Sequence, residues 1–327
     1  MLFRYLVGGG IDIGLTLSGF KVVFATDIEE PHCKTIAHNF PDCITRAIDV
    51  KHLSGETIRE ITHLKEFDLL AGGPPCQSFS ILGKRNSFAD PRGQLVFDYV
   101  RLVNEVCPQV FVFENVPGIL TLNGGQDWRD LLSYFSETTG YKIYSKVLNA
   151  ADFGIPQIRK RVFIVGFRSH EIEFQFPEPT HQENNMFLSR SFLQPWLPAK
   201  YALEEVDGLP NQRVRVHGER VHNRYNQILP GERDKIDHTD RIYPDRPSGT
   251  VLVGSKAGGG RPFIHPYIPR HLTVREAARL QSFPDWYEFV GSDTWNYRAV
   301  GNAVPPLLAM AVGEQINKAL KKKSASV

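Results

Sequence analysis

The feature that most constrains the fold is the alternation of short apolar runs with helix-like stretches up to about Arg168. Strands are predicted for residues 21–26, 67–71, 110–113, 141–148 and 162–167. Apolar residues recur at helical spacing from Leu95 to Val106, and residues 128–138 form another amphipathic stretch. This alternation favours an α/β fold with a doubly wound, mostly parallel sheet, in which the last two strands form an antiparallel edge hairpin.

The regular pattern stops after Arg168. From Ser169 to about Arg270 the chain is irregular and rich in Pro, Arg, His and Gly, with turn signals such as Pro230-Gly231. Helical patterns return at residues 274–282 and 307–320, and the last of these is expected to pack back on the first domain. We therefore predict a first domain of residues 1–168 and 287–327, and a smaller, irregular second domain of residues 169–286.

Reactive side chains follow the ends of the predicted strands. The segment GGPPCQSFS places Cys76 behind two prolines, just after the apolar run of residues 67–71. Glu114 follows the run 110–113, and Arg159 and Arg161 directly precede the run 162–167. Open α/β sheets bind their ligands beyond the carboxyl ends of their strands. We therefore expect a thiol, a carboxyl group and two guanidinium groups to converge there.

This combination suits attack of a thiolate on an electron-poor ring that carries a carbonyl and a ring nitrogen. A free thiol is only a few per cent ionised at neutral pH, so Cys76 needs a cationic neighbour such as Arg159 or Arg161. Glu114 could protonate the ring if partial burial raises its pKa. Taken singly, a cysteine is more often a small buried hydrophobe and a glutamate is more often solvated. Together, with Gln77-Ser78 following, they favour catalysis.

Five segments, in this order and separation, resemble motifs of the bacterial cytosine-C5 DNA methyltransferases of restriction-modification systems. They are GGPPCQSFS, ENV from Glu114, QIRKR from Gln157, RLQSFPD from Arg279 and GNAVPP from Gly301. The resemblance covers nearly the whole chain except about residues 171–270, where the family varies. It implies a Rossmann-like, S-adenosylmethionine-dependent catalytic domain followed by a target-recognition domain.

The reaction that the resemblance implies is methyl transfer from S-adenosylmethionine to carbon 5 of a cytosine in a specific duplex sequence. Cys76 would add to carbon 6, Glu114 would hydrogen-bond and protonate ring nitrogen 3, and Arg159 and Arg161 would support the site. Release would follow by loss of the carbon-5 proton and elimination of Cys76. Because carbon 6 of a stacked base is out of reach, the cytosine must swing out of the duplex.

The resemblance also implies a cofactor site around a glycine turn after the first strand. Its expected members are Tyr5, Gly8, Gly9, Gly10, Asp27, Ile28, Asp49, Val50, Pro75, Leu95, Asn302 and Ala303. Asp27 would bind the ribose hydroxyls and Asp49 the adenine amine, although Asp27 could equally cap a helix. Tyr5 and Val7 replace the family's usual phenylalanine and glycine. The turn is not GxGxxG, so a nucleotide-binding dehydrogenase is poorly supported.

A nucleic-acid partner is supported by the local balance of charge. The net charge of the chain is only +2, yet residues 211–275 hold twelve Lys and Arg against six Asp and Glu. The DNA contacts expected from the resemblance are Gln77 and Ser80 on the catalytic side and Arg246 and Thr250 in the second domain. A solvated charged surface is the simpler interpretation of the basic region.

Other possibilities remain. A transfer-RNA cytosine methyltransferase shares the core, but its Cys-Phe-Thr element is missing between Ser169 and Arg270. A DNA-binding homologue impaired in catalysis would explain the unusual first turn. No metal is expected, because the spacing of His32, Cys33, His38 and Cys43 fits no usual zinc site. The four cysteines form no paired framework.

The remaining expectations concern context. With no signal peptide and no membrane-spanning run, the chain reads as a soluble cytoplasmic protein. The expected partner is double-stranded DNA, bound by a monomer, with a companion restriction endonuclease in the same system.

Overall fold

A computed structural model describes residues 2–5, 8–74, 94–183, 192–252 and 263–324, with backbone only for residues 2–5 and 324. Four of the predicted site residues, Pro75, Cys76, Gln77 and Ser80, lie outside the described residues. For Tyr5, only the backbone position is described.

Seven strands form the central sheet, in the order β3-β2-β1-β4-β5-β7-β6. They are β1 (Leu2–Tyr5), β2 (Val22–Asp27), β3 (Ile44–Ala47), β4 (Leu69–Gly72), β5 (Val110–Asn115), β6 (Lys142–Asn149) and β7 (Lys160–Phe167). The first five are parallel, and β7 runs antiparallel to both β5 and β6. The predicted α/β class and the antiparallel hairpin at one edge are therefore confirmed.

Helices cover both faces of the sheet. They are α1 (Gly10–Leu17), α2 (Glu30–Asn39), α3 (Gly55–Thr62), α4 (Gln94–Val106) and α5 (Gln126–Thr139) in the first part of the chain, and α6 (Glu219–Asn226), α7 (Val274–Leu280), α8 (Asp293–Asn302) and α9 (Pro306–Ser324) in the rest. The predicted helices at residues 274–282 and 307–320 correspond to α7 and α9. A capping box formed by Thr273 and Glu276 fixes the start of α7.

The apolar runs are continuous because each strand is buried on both faces. Along β4, Leu69 and Ala71 face the core beneath α1 and α9, whereas Leu70 faces the core beneath α3, α4 and α5. In β5, Val110 and Val112 likewise contribute to the first core, and Phe111 and Phe113 to the second. Two-sided burial thus explains why the strands do not alternate apolar with polar residues.

The strand order reverses between β1 and β4. The chain proceeds from β1 outward to β2 and β3, whereas β4 lies on the other side of β1 and leads to β5. Connections that leave neighbouring parallel strands in opposite directions open a crevice at their carboxyl ends. The turn at Gly8 and the segment that begins at Pro74 both start at this point.

Buried arginines fix the irregular part of the chain. Here the described strands, β8 (His181–Gln182), β9 (Gln194–Pro195), β10 (Asp240–Arg241) and β11 (Phe263–Ile264), have only two residues each. Arg241 donates hydrogen bonds to the carbonyl oxygens of four residues, Tyr225, Ile228, His265 and Pro266. Guanidinium groups thus satisfy loop carbonyls that regular secondary structure would otherwise pair.

Cys107 was expected to lie in the core, and this expectation is wrong. The residue follows the end of α4 with a φ of 52°, and its side chain is exposed. The left-handed conformation directs the side chain away from the core that Val106 enters. Its sulfur accepts a hydrogen bond from Arg168 at 3.4 Å.

Among the helices that the structure describes, none combines the length and the apolar character that crossing a membrane would require.

Candidate active site

Glu114 lies at the carboxyl end of β5 and forms an ion pair with Arg161. Its side chain is only 6% exposed, and the distance from its Oε1 atom to Arg161 Nε is 2.9 Å. The pairing of β5 with β7 brings the two residues together, because Glu114 stands opposite Phe163, two residues from Arg161. Sequence analysis predicted both residues, and the sheet places them in contact.

The pKa of the Glu114 carboxyl group is raised. Burial raises it most, and the positive charges of Arg161 and Arg159 lower it by less. A carboxyl group with a raised pKa retains its proton to higher pH than an exposed glutamate does. This position therefore suits an acid that must donate a proton near neutral pH.

Asn115 holds the start of the cysteine-containing segment against the same strand end. Its Nδ2 atom donates a hydrogen bond of 2.8 Å to the carbonyl oxygen of Pro74, two residues before Cys76 in the sequence. The β4–β5 pairing, with Gly72 opposite Phe113, already brings the two strand ends together. Pro74, the last described residue before Cys76, is thus tied to the residue next to Glu114.

Arg159 has different surroundings from Arg161. The side chain is completely buried and donates three hydrogen bonds, to the carbonyl oxygens of Val251, Gly301 and Ala303, at 2.7–3.0 Å. Burial, with the nearby positive charge of Arg161, holds the pKa of Arg159 well below its usual range. The structure thus shows Arg159 bonded to the backbone of two later segments, whereas Arg161 reaches the carboxyl group of Glu114.

Close packing against later parts of the chain restricts the turn after β1 to glycine. Gly8 and Gly9 have φ values of 88° and 81°. A Cβ atom would lie 1.9 Å from the Tyr287 hydroxyl at Gly9 and 1.9 Å from the Val304 carbonyl oxygen at Gly10. At Gly8 it would lie 2.2 Å from the carbonyl oxygen of Ala299. The turn is therefore pressed against α8 and the segment that follows it.

Asp27 and Ile28, at the end of β2, offer groups suited to a nucleoside. Asp27 Oδ1 accepts a hydrogen bond from Glu29 N at 2.8 Å and lies 3.5 Å from His32 Nδ1. No described residue donates a hydrogen bond to the second carboxylate oxygen, Oδ2. Ile28 is 60% exposed, which is unusual for a large apolar side chain beside a buried strand. A carboxylate oxygen beside an open apolar surface fits a ribose and its base.

The other expected cofactor residues differ in exposure. Asp49 is half-buried and accepts a hydrogen bond from Lys51 N, and Asn302 is exposed at the end of α8. Leu95 is half-buried on α4. Val50 and Ala303 are almost completely buried, and their carbonyl oxygens already accept hydrogen bonds from arginines.

The two predicted DNA contacts in the second domain also differ. Arg246 is exposed, and its guanidinium carbon lies 5.0 Å from the centre of the Tyr243 ring. The hydroxyl group of Thr250 donates a hydrogen bond of 3.0 Å to the carbonyl oxygen of Ile158. Arg246 is thus available at the surface, whereas the hydroxyl of Thr250 bonds within the chain.

The four residues considered for zinc do not form a metal site. His32 lies beside Asp27, and His38 pairs with Glu288 at 3.3 Å. Over the described ranges, no three His, Cys, Asp or Glu side chains are grouped so that they could hold a metal ion.

A family model described as C-5 cytosine-specific DNA methylase matches residues 2–318. The chain belongs to this family. Its members among characterised proteins include the Type II methyltransferase M.XorII of Xanthomonas oryzae pv. oryzae, 35% identical over 96% of this chain and 84% of that protein. The Type II methyltransferase M1.HphI of Haemophilus parahaemolyticus is 37% identical over 95% of this chain and 84% of its own length.

Solved structures of C5 methyltransferases share the fold. An E. coli protein encoded within a prophage and assigned as a DNA modification methyltransferase is 27% identical, with a TM-score of 0.75 over 98% of this chain and 99% of that one. The Dnmt2 methyltransferase of S. pombe is 22% identical, with a TM-score of 0.68 over 98% of both chains, and shows the similarity of fold alone.

Sequence reasoning missed two residues that the structure places beside the site. Asn115 stands inside the ENV motif, yet only its bond to Pro74 reveals what it holds. Gln157 opens the QIRKR motif and is completely buried. A long polar side chain next to two arginines was the available signal, since buried glutamine must bond both ends of its amide.

Proposed function

We propose that this C5 methyltransferase transfers a methyl group from S-adenosylmethionine to carbon 5 of a cytosine in double-stranded DNA, through a covalent bond between Cys76 and the base. The observation that carries the proposal is the buried pair of Glu114 and Arg161, with a raised pKa on the carboxyl group, beside the bond from Asn115 to Pro74. The pair lies at the carboxyl edge of the sheet, next to the reversal of strand order.

The cofactor would lie between the glycine turn and the end of β2. Asp27 Oδ2 would bind the ribose hydroxyls, the exposed face of Ile28 would cover the base, and Asp49 would accept from the adenine amine. Contact with Gly8–Gly10 would be made by the backbone, because these residues have no side chain to obstruct it. When bound, S-adenosylmethionine supplies an electrophilic methyl group.

Protein residues would provide the remaining chemistry. The Cys76 thiolate forms a bond to carbon 6 while Glu114 transfers its proton to ring nitrogen 3, which places electron density on carbon 5. Arg161 holds the Glu114 carboxyl group in position through the 2.9 Å ion pair. Once carbon 5 carries the methyl group, a base removes the carbon-5 proton. The electrons of that bond form the C5–C6 double bond, expelling the thiolate, while nitrogen 3 returns its proton to Glu114.

The DNA must present the cytosine outside the helix, and contacts to phosphates would offset part of the cost. Three exposed arginines suit this task, because Arg213, Arg215 and Arg220 form no hydrogen bond or ion pair with the described residues. Other arginines of the region, Arg224, Arg241 and Arg270, are already bonded within the protein. We further propose a companion endonuclease, since two relatives are named Type II methyltransferases.

The test is covalent trapping with duplex DNA in which 5-fluorocytosine replaces cytosine. Fluorine at carbon 5 cannot leave as a proton does, so the wild-type protein with S-adenosylmethionine should form a stable complex joined at Cys76. Cys76→Ser should form no complex, yet should bind DNA with near wild-type affinity. Sequencing of methylated cytosines in mixed DNA exposed to the protein would identify the recognised sequence.

Two results would reject the proposal in different ways. If calorimetry shows that S-adenosylmethionine binds but no adduct or methylation appears on mixed DNA, the covalent mechanism is wrong. Absence of both cofactor binding and methylation would instead identify a DNA-binding homologue impaired in catalysis.

A further inference from the structure

Gln157 is a buried glutamine that joins three segments of the chain. Its side chain has 0% exposure. The Oε1 atom accepts a hydrogen bond of 2.9 Å from the backbone nitrogen of Val251, and the Nε2 atom donates one of 3.3 Å to the carbonyl oxygen of Leu280. One amide thus connects the chain before β7 with the residues at Val251 and with the end of α7.

Further bonds join the two segments that meet at Gln157, residues 156–159 and 248–251. Ser248 N donates to Pro156 O at 2.9 Å, and Ile158 N donates to Ser248 O at 2.8 Å. Arg159 Nη1 donates to Val251 O at 3.0 Å. Both polar backbone atoms of Val251 are therefore bonded to side chains of the QIRKR motif, through Gln157 and Arg159.

The bonded segments lead to different parts of the protein. Residues 156–159 continue directly into Arg161, the partner of Glu114. Residues 248–251 follow the exposed Arg246 and precede a glycine-rich stretch with two cations, GSKAGGGR, which lies outside the described residues. The junction therefore sets the distance between the catalytic pair and the part of the second domain that would meet the bases.

We propose that Gln157 is a positioning residue that fixes the base-reading part of the second domain relative to Glu114 and Arg161. The inference rests on the proposed function, because it assigns Gln157 to the reading of DNA by the same site. Gln157 touches neither the base nor the cofactor. It acts through Val251, whose buried backbone nitrogen would lose its partner without the glutamine oxygen.

Gln281 supplies a matched comparison. It is also completely buried, and its Nε2 atom donates a hydrogen bond to the carbonyl oxygen of Val300 on α8. No described residue of the segment 248–251 bonds to it. A role limited to stability would make the two glutamines equivalent, whereas a positioning role would make only Gln157 matter for the choice of DNA sequence.

The experiment compares Gln157→Met, Gln157→Glu and Gln281→Met in the full-length protein. Steady-state methylation would be measured on the recognised duplex and on duplexes with one changed base pair, together with melting temperatures. For Gln157→Met we expect KM for DNA to rise about tenfold and discrimination against the changed duplexes to fall about tenfold, with kcat within roughly threefold. Gln157→Glu keeps the acceptor for Val251 N and should retain most of the discrimination.

The controls separate the possible failures. Gln281→Met should lower the melting temperature without changing discrimination. If Gln157→Met keeps wild-type KM and discrimination, or if Gln281→Met loses as much discrimination, the positioning role is wrong. If Gln157→Met does not fold, a loss of discrimination by folded Gln157→Glu equal to that expected for the methionine variant would also overturn it. Absence of methylation by the wild-type protein would instead reject the proposed function.

Discussion

At the scale of single residues, burial decides what Glu114 can do. An exposed glutamate beside two arginines would be ionised, because opposite charges lower the pKa of a carboxyl group. In this protein burial has the larger effect, and the pKa of Glu114 is raised despite Arg161 and Arg159. The same carboxyl group can therefore donate a proton and take it back within one reaction cycle.

We expect Glu114→Gln to lower the rate of methyl transfer by about 10²–10⁴-fold, because the amide cannot donate a proton to ring nitrogen 3. A raised pKa means that Glu114 loses its proton at higher pH than an ordinary glutamate, and activity should decline as pH rises through that value. The residual activity of the glutamine variant should lack this decline. Initial rates of methyl transfer measured from pH 5 to 9 test both statements.

A suitable control is Glu105→Gln. Glu105 also pairs with an arginine, with its Oε1 atom 2.9 Å from Arg101 Nη1, but on α4. This change should leave the rate and its pH dependence near those of the wild-type protein. Equal losses in the two variants would show that breaking an ion pair, rather than removing a proton donor, slows the reaction.

Single residues also show how far the sequence could predict the site. The contact between Glu114 and Arg161 follows from strand ends that any parallel sheet with a β5–β7 pairing would align. The burial of Arg159 and Val50 was not predictable, because it depends on segments more than forty residues away, such as the one at Val251. The exposure of Cys107 depends on a left-handed backbone that the apolar pattern does not indicate.

At the scale of elements, the apolar runs were the reliable signal. Strands buried on both faces must be apolar throughout, and predicted strands such as residues 110–113 and 162–167 lie within β5 and β7. The first strand, Leu2–Tyr5, is only four residues long and carries Arg4, which weakened its signal. Short strands such as β10 and β11 left no pattern, because hydrogen bonds from side chains such as Arg241 stabilise this region.

The exposed segment before α6 supplies a prediction about DNA affinity. Arg213 and Arg215 are exposed and unbonded among the described residues, so each could neutralise one phosphate. In Arg213→Ala/Arg215→Ala, the dependence of log K on log salt for duplex DNA should become shallower by about 1.8. Binding to unrelated sequences should weaken by a similar factor, as measured by fluorescence anisotropy at several salt concentrations.

The matched change is Lys21→Ala/Lys65→Ala. These exposed lysines precede β2 and β4, at the amino edge of the sheet and away from the proposed site. Their removal alters the net charge by the same amount and should leave the salt dependence unchanged. If both double variants shift it equally, the segment holds no phosphate contacts and only overall charge matters.

At the scale of the whole molecule, buried histidines link stability to pH. Burial, the largest cause in each case, lowers the pKa of His265 and of His271 from 6.5 to about 4. His271 also lies against His217 and Tyr225, with its Nε2 atom 3.1 Å from the tyrosine hydroxyl. The folded protein thus holds both rings neutral under conditions in which the unfolded chain would protonate them.

The free energy of unfolding should therefore fall as pH is lowered from about 6.5 to about 4. Between these values the unfolded chain binds more protons, so each histidine contributes a slope of up to about 1.4 kcal/mol per pH unit. His271→Gln should reduce the slope, whereas the exposed His52→Gln should not. Urea unfolding at several pH values measures it, and an unchanged slope in His271→Gln would contradict the assignment.

The contact between the glycine-rich α1 and the last helix has a consequence for biosynthesis. A Cβ atom at Gly14 would lie 2.4 Å from the carbonyl oxygen of Pro306, and one at Gly313 would lie 2.2 Å from Ser18 Oγ. Since α1 and α9 are separated by nearly the whole chain, a ribosome adding about 5–20 residues per second delivers the second partner on the order of 15–60 s after the first. Until then the apolar face of α1 has no cover, and the nascent protein is a natural client for chaperones.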